Sequence, residues 1–525
     1  MRTAADIKPK KGQQNGAQAI RRVFIIRHSP VRGIRTVLLA FLAVGAVACA
    51  PVTRVDQGIA FVDVALIDVS GGSVHPGMTV IVSGERIIHV LPSRNIALGP
   101  DVEQVDGEGR FLIPGLWDMH VHFQGNADQV RTVEFPVFLA HGITGIRVMS
   151  GCDSTYVSRQ PGSQPCMTDE TPGNPSPRTI AGWREEIVDR AIVGPRIVSS
   201  SMMFDGSTEC YPSYTLESPE DAREKVRQVR NSGADFLKIL NCSMSSDVYY
   251  AILEEARALG IVVAGHVPRG VTLIEAANAG QKGIEHAAPS LLEACGSAKE
   301  VANARAAYEE GGFPAYLEGL IAAFDPAECG PLVAALLENG TFFSPTFVVN
   351  TNNVVNQDLR AAVESDDRWR YLVPHTRGLW EEEIVEQTID EATRMLYARY
   401  FDRLYEAVAT LEQGGVQILA GSDAPNLLVY PGSGLHDELG FLSAAGLSPQ
   451  SALAAATTAP ARFLNLEAEL GTIAPGMLAD LVLLDADPLV DIANTRTIRA
   501  VMANGRLFTR EALDDLLETA VTAAR

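Results

Sequence analysis

The chain has 525 residues, of which 46% are hydrophobic and 20% are charged, a composition typical of globular proteins. Its formal charge of −21 argues against a nucleic-acid partner, because recognition of the phosphate backbone depends on Lys and Arg. The length exceeds that of one ordinary core and predicts more than one structural unit.

The first 49 residues differ from the rest of the chain. They hold nine of the 43 Lys and Arg residues but one of the 64 acidic residues, and an apolar run extends from Thr36 to Ala50. This run is shorter than the roughly 20 residues that span a bilayer as a helix. We therefore interpret residues 1–49 as a signal peptide.

The end of this segment predicts the location of the protein. The sequence Ala-Val-Ala-Cys at 46–49 resembles a bacterial lipobox, in which Cys49 becomes lipidated, and it also fits plain cleavage after small residues. We expect an exported, periplasmic lipoprotein that contacts the membrane only through a lipid anchor at Cys49.

Six cysteines follow Cys49. An even number of cysteines in an exported protein permits disulfides. We expect two bonds between cysteines that are close in sequence and flanked by loop-like residues, Cys152 with Cys166 and Cys295 with Cys329. The alternative is six buried thiols, because sequence alone does not determine connectivity.

Short β-rich runs occur at both ends of the remaining chain. Residues 58–105 contain three such runs, separated by turn residues at Gly71-Gly72 and Ser83-Gly84. The same pattern returns in residues 471–485 and 500–505. We predict one composite β-sandwich domain built from residues 50–113 and 467–525.

The central residues 114–466 repeat a strand-then-helix pattern, which is typical of parallel βα units. Eight units are the number found in a (β/α)₈ TIM-type barrel, so the predicted fold class is α/β. Long insertions, such as residues 150–177 and 350–410, explain the large size of this region. The predicted strands are Leu116–His122, Gly145–Met149, Arg196–Ser200, Phe236–Leu240, Val262–Val267, Gly283–His286, Phe342–Phe347 and Gln417–Asp423.

Polar side chains recur at the ends of these strands. His120 and His122 are two residues apart on one strand, so both imidazoles leave the same face and can bind one metal ion. Other strands end in or carry Lys238, His266, His286 and Asp423. One histidine at a strand end is often only hydrogen-bonded. Six such residues at matching positions indicate a shared site at the carboxyl ends of the strands.

Several motifs together resemble the amidohydrolase superfamily, and within it the imidazolonepropionase-like or metal-dependent dipeptidase (prolidase-like) branch. The resemblance covers nearly everything after residue 49. It includes Pro-Gly-Leu-x-Asp-x-His-x-His at 114–122, Gly-Ala-Asp-Phe-Leu-Lys at 233–238, Gly-Ser-Asp-Ala-Pro at 421–425 and Gly-Thr-Ile-Ala-Pro-Gly-Met-Leu-Ala-Asp-Leu-Val at 471–482.

The resemblance implies a binuclear metal site. His120, His122 and Asp423 would bind one divalent ion, His266 and His286 would bind a second, and an N-carboxylated Lys238 would bridge them. Zinc suits such ligands, with manganese, iron or cobalt as alternatives. The alternative for Lys238 is an ion pair, for example with Asp235.

The same resemblance implies a metal-dependent hydrolase that cleaves a C–N bond of a small molecule, such as a dipeptide or an N-acyl amino acid. A metal-bridged hydroxide would attack the carbonyl, and Asp423 would pass the proton of the water to the departing amine. A cyclic amidase or a deaminase is the alternative within the superfamily, although a single-metal deaminase needs no bridging lysine. An inactive ligand-binding lipoprotein is the alternative from another class. The sequence leaves a homo-oligomer open.

Two more residues are candidates for substrate contact. His436 lies in Leu-His-Asp-Glu-Leu after the eighth strand, where it could bind substrate or orient the following helix. Arg147 on the second strand could pair with a substrate carboxylate or form a structural ion pair. His375 lies away from the strand ends, and we assign it no role.

Overall fold

The computed structural model describes residues 52–157, 166–206, 211–349, 358–386 and 389–525. The predicted signal peptide and Cys49 lie outside these ranges. Among the described helices, none combines the length and the apolar character that a membrane span requires.

Strands from both ends of the chain form one mixed eight-stranded sheet. The two groups meet where Phe111–Pro114 pairs antiparallel with Leu481–Leu484. The other strands of this sheet are Gly58–Asp68, Ser73–Ser83, Arg86–Pro92, Val102–Asp106, Ile498–Ala503 and Arg506–Thr509. A second, two-stranded sheet pairs Thr53–Val55 with Ile96–Leu98 in parallel. The two sequence-distant ends thus share one sheet.

The C-terminal strand Leu481–Leu484 is apolar throughout because both of its faces are buried. Side chains at alternate positions of a strand point to opposite faces. Leu481 and Leu483 pack in the core of the mixed sheet, whereas Val482 and Leu484 pack in the large central core. This strand therefore attaches the sheet to the rest of the molecule.

Seven of the eight predicted parallel strands are present. Each pairs in parallel with its neighbour, except that the third and fourth are joined only by a bridge between Ser200 and Phe236. Their bounds are Leu116–Val121, Ile143–Val148, Arg196–Ser199, Phe236–Ile239, Val262–Gly265, Gly283–Glu285 and Phe342–Ser344. Two short strands, Met203–Asp205 and Ser213–Thr215, extend the sheet beside the fourth strand.

The eighth predicted strand, Gln417–Asp423, is not continuous in the structure. The segment is extended and lies between the first and seventh strands. The amide of Phe343 donates to the Gln417 carbonyl (3.1 Å), and the amide of Asp423 donates to the His120 carbonyl (2.7 Å). Asp423 has a φ of 59°, a left-handed conformation that interrupts an extended strand. A Cβ at Gly421 would lie 2.7 Å from the His120 Cβ, so this close approach requires glycine.

Helices connect the strands, and many begin at a serine or threonine whose side chain accepts the backbone N–H three residues later. Examples are Ser176, Ser218, Ser245, Thr272 and Ser297. Within the described residues the α-helices are Ala127–Gln129, Phe135–Ala140, Ser154–Val157, Pro177–Val188, Pro219–Val229, Ser246–Leu259, Leu273–Ala279, Pro289–Ala294, Ala298–Ala323, Gly330–Asn339, Leu359–Glu364, Pro374–Glu386, Glu391–Gln413, Ser433–Ala444, Pro449–Ala455, Thr458–Phe463 and Arg510–Ala523.

Both predicted disulfides are present. The Cα atoms of Cys152 and Cys166 are 5.5 Å apart, and those of Cys295 and Cys329 are 4.2 Å apart. The second bond ties the end of helix Pro289–Ala294 to the start of helix Gly330–Asn339. The two predicted pairings are therefore confirmed.

Candidate active site

Residues from the first and last parallel segments meet at the carboxyl ends of the strands. His120 and His122 leave the first strand on one face, as the sequence predicts. Their Nε2 atoms lie 3.4 and 3.1 Å from Oδ1 of Asp423. One ligand atom from each of these three residues lies within 4.8 Å of the other two, a spacing that suits a shared metal ion.

The two other predicted histidines join this group. The ring centroids of His120 and His286 are 4.8 Å apart, and those of His266 and His286 are 4.7 Å apart. His286, like Asp423, has a left-handed backbone, with a φ of 69°. Non-glycine residues rarely adopt this conformation, and such strain is concentrated at functional sites.

Lys238 completes the group from the fourth strand. Its side chain is buried, and its Nζ makes no hydrogen bond with any residue that the structure describes. The alternative partner, Asp235, is bound instead to Arg184 and to the backbone amide of Ser199. Burial lowers the pKa of Lys238 to about 8, against the opposing charges of Glu285 and Asp423. A buried polar atom without a partner is costly, which points to a missing ligand or modification.

Each of the four histidines is held through its Nδ1 atom by a second residue, and the sequence did not reveal these partners. A hydrogen bond of this kind fixes the tautomer and the orientation of a metal-binding imidazole. The contacts join His120 to Glu285 (3.0 Å), His122 to Ser150 (2.9 Å), His266 to Asn241 (3.0 Å) and His286 to Thr346 (2.6 Å).

Arg147 lies behind the site and not on its surface. It is fully buried, donates from Nη2 to Oε1 of Glu285 (2.7 Å) and donates from Nε to the Met119 carbonyl. Glu285 accepts the first of these hydrogen bonds while its other carboxylate oxygen contacts His120, so Arg147 acts on the site through Glu285. The structure therefore favours the second of the two predictions for Arg147, a structural ion pair, over contact with a substrate carboxylate.

His436 is also remote from the site cavity. Its Nδ1 lies 2.9 Å from the Thr495 hydroxyl, and its Nε2 lies 2.9 Å from the His141 carbonyl. These contacts attach helix Ser433–Ala444 to its neighbours, which corrects the expectation of a substrate contact at His436.

A cavity of about 380 Å³ opens onto the six predicted ligands. His375 has no role in the prediction from sequence, but helix Pro374–Glu386 brings it to the cavity wall together with Leu379. Further polar groups on the wall are Gln124, Ser150, Asn174, Tyr211 and Asn426. These residues come from the segments between strands, where the spacing of residues in the sequence does not predict which side chains come together.

The protonation states suit cation binding. Burial and the charge of Lys238 lower the pKa values of His120 and His266, so both imidazoles are neutral at pH 7. Burial alone would raise the pKa of Asp423, but the hydrogen bond with His122 and the charge of His286 hold it below its usual value. Neutral imidazoles and ionised carboxylates are the forms that bind metal ions. The Nε2 atom of buried His120 makes no hydrogen bond with any described residue, which leaves a lone pair for such an ion.

The sequence profile of the Amidohydrolase family matches residues 111–508. The chain therefore belongs to this family, and the prediction of an amidohydrolase is confirmed at the level of the family. The match includes all six residues of the candidate metal site.

Individual relatives are more distant. A segment of 84 residues is 37% identical to an adenine deaminase of Rubrobacter xylanophilus, covering 16% of this chain and 14% of that protein. The solved structure of bottromycin amidohydrolase has a TM-score of 0.63 and 22% identity, covering 89% of this chain and 90% of that one. A Xaa-Pro dipeptidase structure with methionine bound in its active site has a TM-score of 0.55 and 19% identity, covering 86% and 100%. These similarities imply a TIM-type barrel with an additional domain.

Proposed function

We propose that this protein is a metal-dependent hydrolase that cleaves the C–N bond of a small substrate, such as a dipeptide or an N-acyl amino acid. The observation that carries this proposal is the convergence of four histidines and Asp423 around the buried, unpartnered Nζ of Lys238. The names of the structural neighbours support the choice of bond, since one is an amidohydrolase and another is a dipeptidase.

The scaffold of this proposal is a closed (β/α)₈ barrel. The extended segment 417–424 supports closure, because it forms parallel bridges from Ile418 to Phe343 and from Ala424 to Val121. It thus contacts both the first and the seventh strand. In such barrels the carboxyl ends of the strands carry the chemistry, and all six site residues lie there.

In the proposed site, His120, His122 and Asp423 would hold one divalent ion, and His266 and His286 would hold another. Lys238 would supply an oxygen ligand as a carbamate, which forms when its neutral amine adds to CO₂ and loses a proton. Bound zinc, or manganese, iron or cobalt in its place, would polarise the substrate carbonyl and lower the pKa of a water molecule. Asp423 would accept the proton of the attacking water and deliver it to the amine nitrogen that leaves. Glu285 and Asn241 would keep His120 and His266 in the required orientation.

A deaminase is the second candidate, and the short alignment with an adenine deaminase is its support. The two candidates release different products. Hydrolysis of a dipeptide or an N-acyl amino acid gives a free amino acid, whereas deamination gives ammonia. The buried Lys238 favours the first candidate, because a single-metal site has no use for a bridging carbamate.

The test combines metal analysis with a screen of dipeptides, N-acyl amino acids and aminopurines. We expect nearly two divalent ions per chain and release of amino acids without ammonia. Lys238→Ala should lower the metal content and abolish turnover, because the bridge between the ions is lost. Lys299→Ala is the matched control, since Lys299 is exposed.

Two results would count against this proposal. One is a protein that binds no zinc or manganese after supplementation. The other is a Lys238→Ala variant with undiminished activity. Release of ammonia from an aminopurine would instead favour the deaminase.

We also propose that the protein is exported and lipid-anchored. The two disulfides support export, because such bonds persist in oxidising compartments. Cys49→Ser should release the mature protein from the membrane fraction of bacteria, as judged by immunoblotting of cell fractions. A variant that still sediments with membranes would argue against lipidation at Cys49.

A further inference from the structure

A second cavity of about 600 Å³ lies beside the candidate active site. Its wall includes Val267 and Pro268, which directly follow His266, and Ala288, two residues after His286. Asn241 also lines this cavity, and its side chain contacts Nδ1 of His266 at 3.0 Å. A molecule in this cavity that contacts Asn241 would therefore be connected to His266, a predicted metal ligand, through one hydrogen bond.

Aromatic side chains form one wall of the cavity. Tyr308 and Phe313 are 49% and 41% exposed, and both pack near Tyr316, with ring centroids 6.2 and 6.0 Å away. Helix Ala298–Ala323 is interrupted at Gly312, whose φ of 67° is left-handed and available to glycine at little cost. Exposed aromatic rings grouped on a concave surface are typical of binding sites.

Not every positive charge on the wall of this cavity is paired with a carboxylate. Arg305 is compensated, because its guanidinium makes two hydrogen bonds with the Glu293 carboxylate (2.7 and 2.8 Å). The Tyr316 hydroxyl donates a third hydrogen bond to the same carboxylate (3.0 Å). Arg269 is exposed and forms no ion pair or hydrogen bond with the residues that the structure describes. The cavity thus offers one uncompensated positive charge next to an aromatic wall.

We propose that this second cavity is a binding site for a small aromatic carboxylate. The ring would pack against Tyr308, Phe313 and Tyr316, and the carboxylate would pair with Arg269. A neutral aromatic compound would leave Arg269 without a partner. A zwitterion would place its ammonium group where Glu293 already makes three hydrogen bonds. N-acyl aromatic amino acids carry the required ring and charge, so they belong to the class of ligand that this cavity would bind.

The binding site can be tested without turnover. Phenylacetate has the ring and the charge but no C–N bond, and its binding to the full-length, metal-loaded protein can be measured by isothermal titration calorimetry. We expect Arg269→Ala and Tyr308→Ala each to weaken binding at least five-fold. Both side chains are exposed, so the variants should fold, and thermal melting checks this.

Three controls define the outcome. Arg499→Ala removes an exposed arginine elsewhere in the chain and should leave binding unchanged. Phenylacetamide, the uncharged analogue, should bind at least five-fold more weakly than phenylacetate. His122→Ala should leave phenylacetate binding intact. The proposal is overturned if Arg269→Ala binds as tightly as the wild type, or if His122→Ala abolishes binding, which would place the ligand at the metal site. Either result leaves the proposed hydrolase activity untouched.

Discussion

Glu285 explains how individual side chains support the candidate metal site. Its carboxylate contacts Nδ1 of His120 and accepts a hydrogen bond from Arg147, and all three side chains are buried. The pairing of Glu285 with His120 spans 165 positions, so the sequence offered only the adjacency of Glu285 to His286 as a signal. The convergence of the six candidate ligands was predictable, because a strand end fixes where each side chain lies. Their hydrogen-bonding partners were not, because those contacts depend on the packing of distant strands.

The buried ion pair between Arg147 and Glu285 leads to a prediction of stability. Arg147→Met removes the cation and leaves the Glu285 carboxylate buried without it, a change that costs about 3–5 kcal/mol in comparable proteins. Urea denaturation should show a loss of this size in the free energy of unfolding. Arg499→Met, at an exposed position, should change it by no more than about 0.5 kcal/mol. Equal stability of the two variants would contradict a structural role for Arg147.

At the scale of secondary-structure elements, a strand could be predicted where the local sequence has a clear apolar pattern. Seven parallel strands were predicted because each is a short apolar run bounded by turns. The eighth segment was harder to place because Gly421 and the left-handed Asp423 interrupt its extended backbone. His375 was missed because helix Pro374–Glu386 lies far from every strand end in sequence and reaches the cavity only through tertiary packing.

The attachment of helix Ser433–Ala444 predicts a dependence of stability on pH. Burial lowers the pKa of His436 to about 3 and that of His141 to about 4. Histidines in the unfolded state bind a proton near pH 6.5, whereas these two buried histidines stay unprotonated in the folded state until the pH is lower. The free energy of unfolding should therefore fall as the pH drops from 6.5 to 4, by roughly 3 kcal/mol for His436 alone.

Urea denaturation of wild type and His436→Gln at several pH values measures this contribution. Glutamine does not titrate, so the decline in the free energy of unfolding between pH 6.5 and 4 should be smaller in the variant. His75→Gln is the control, because it makes the same replacement at an exposed position. Identical slopes for His436→Gln and wild type would show that His436 is not held neutral by burial.

At the scale of the whole molecule, the sheet formed by both chain ends contributes side chains to the core of the central region. The β-rich texture at both ends predicted one composite unit, and their strands do meet in one sheet at Phe111–Pro114 and Leu481–Leu484. The sequence could not show that Val482 and Leu484 from this sheet are buried in the central core. That contact depends on which face of the strand is turned inward, and an entirely apolar strand carries no alternation to reveal it.

Because side chains of the sheet are buried in the central core, we expect the sheet and the central region to unfold together, although they were predicted as separate domains. Leu484→Ala removes a fully buried side chain from the central core and should lower the free energy of unfolding by about 2–5 kcal/mol. Hydrogen exchange in increasing urea should show strands Ser73–Ser83 and Val262–Gly265 losing protection at the same concentration, and the variant should shift both equally. Leu466→Ala, at a position that is 37% exposed, should shift neither strand appreciably. Early loss of protection in Ser73–Ser83 alone would instead mean that the sheet is an independent domain. Two regions that are packed in one core should lose protection at the same urea concentration.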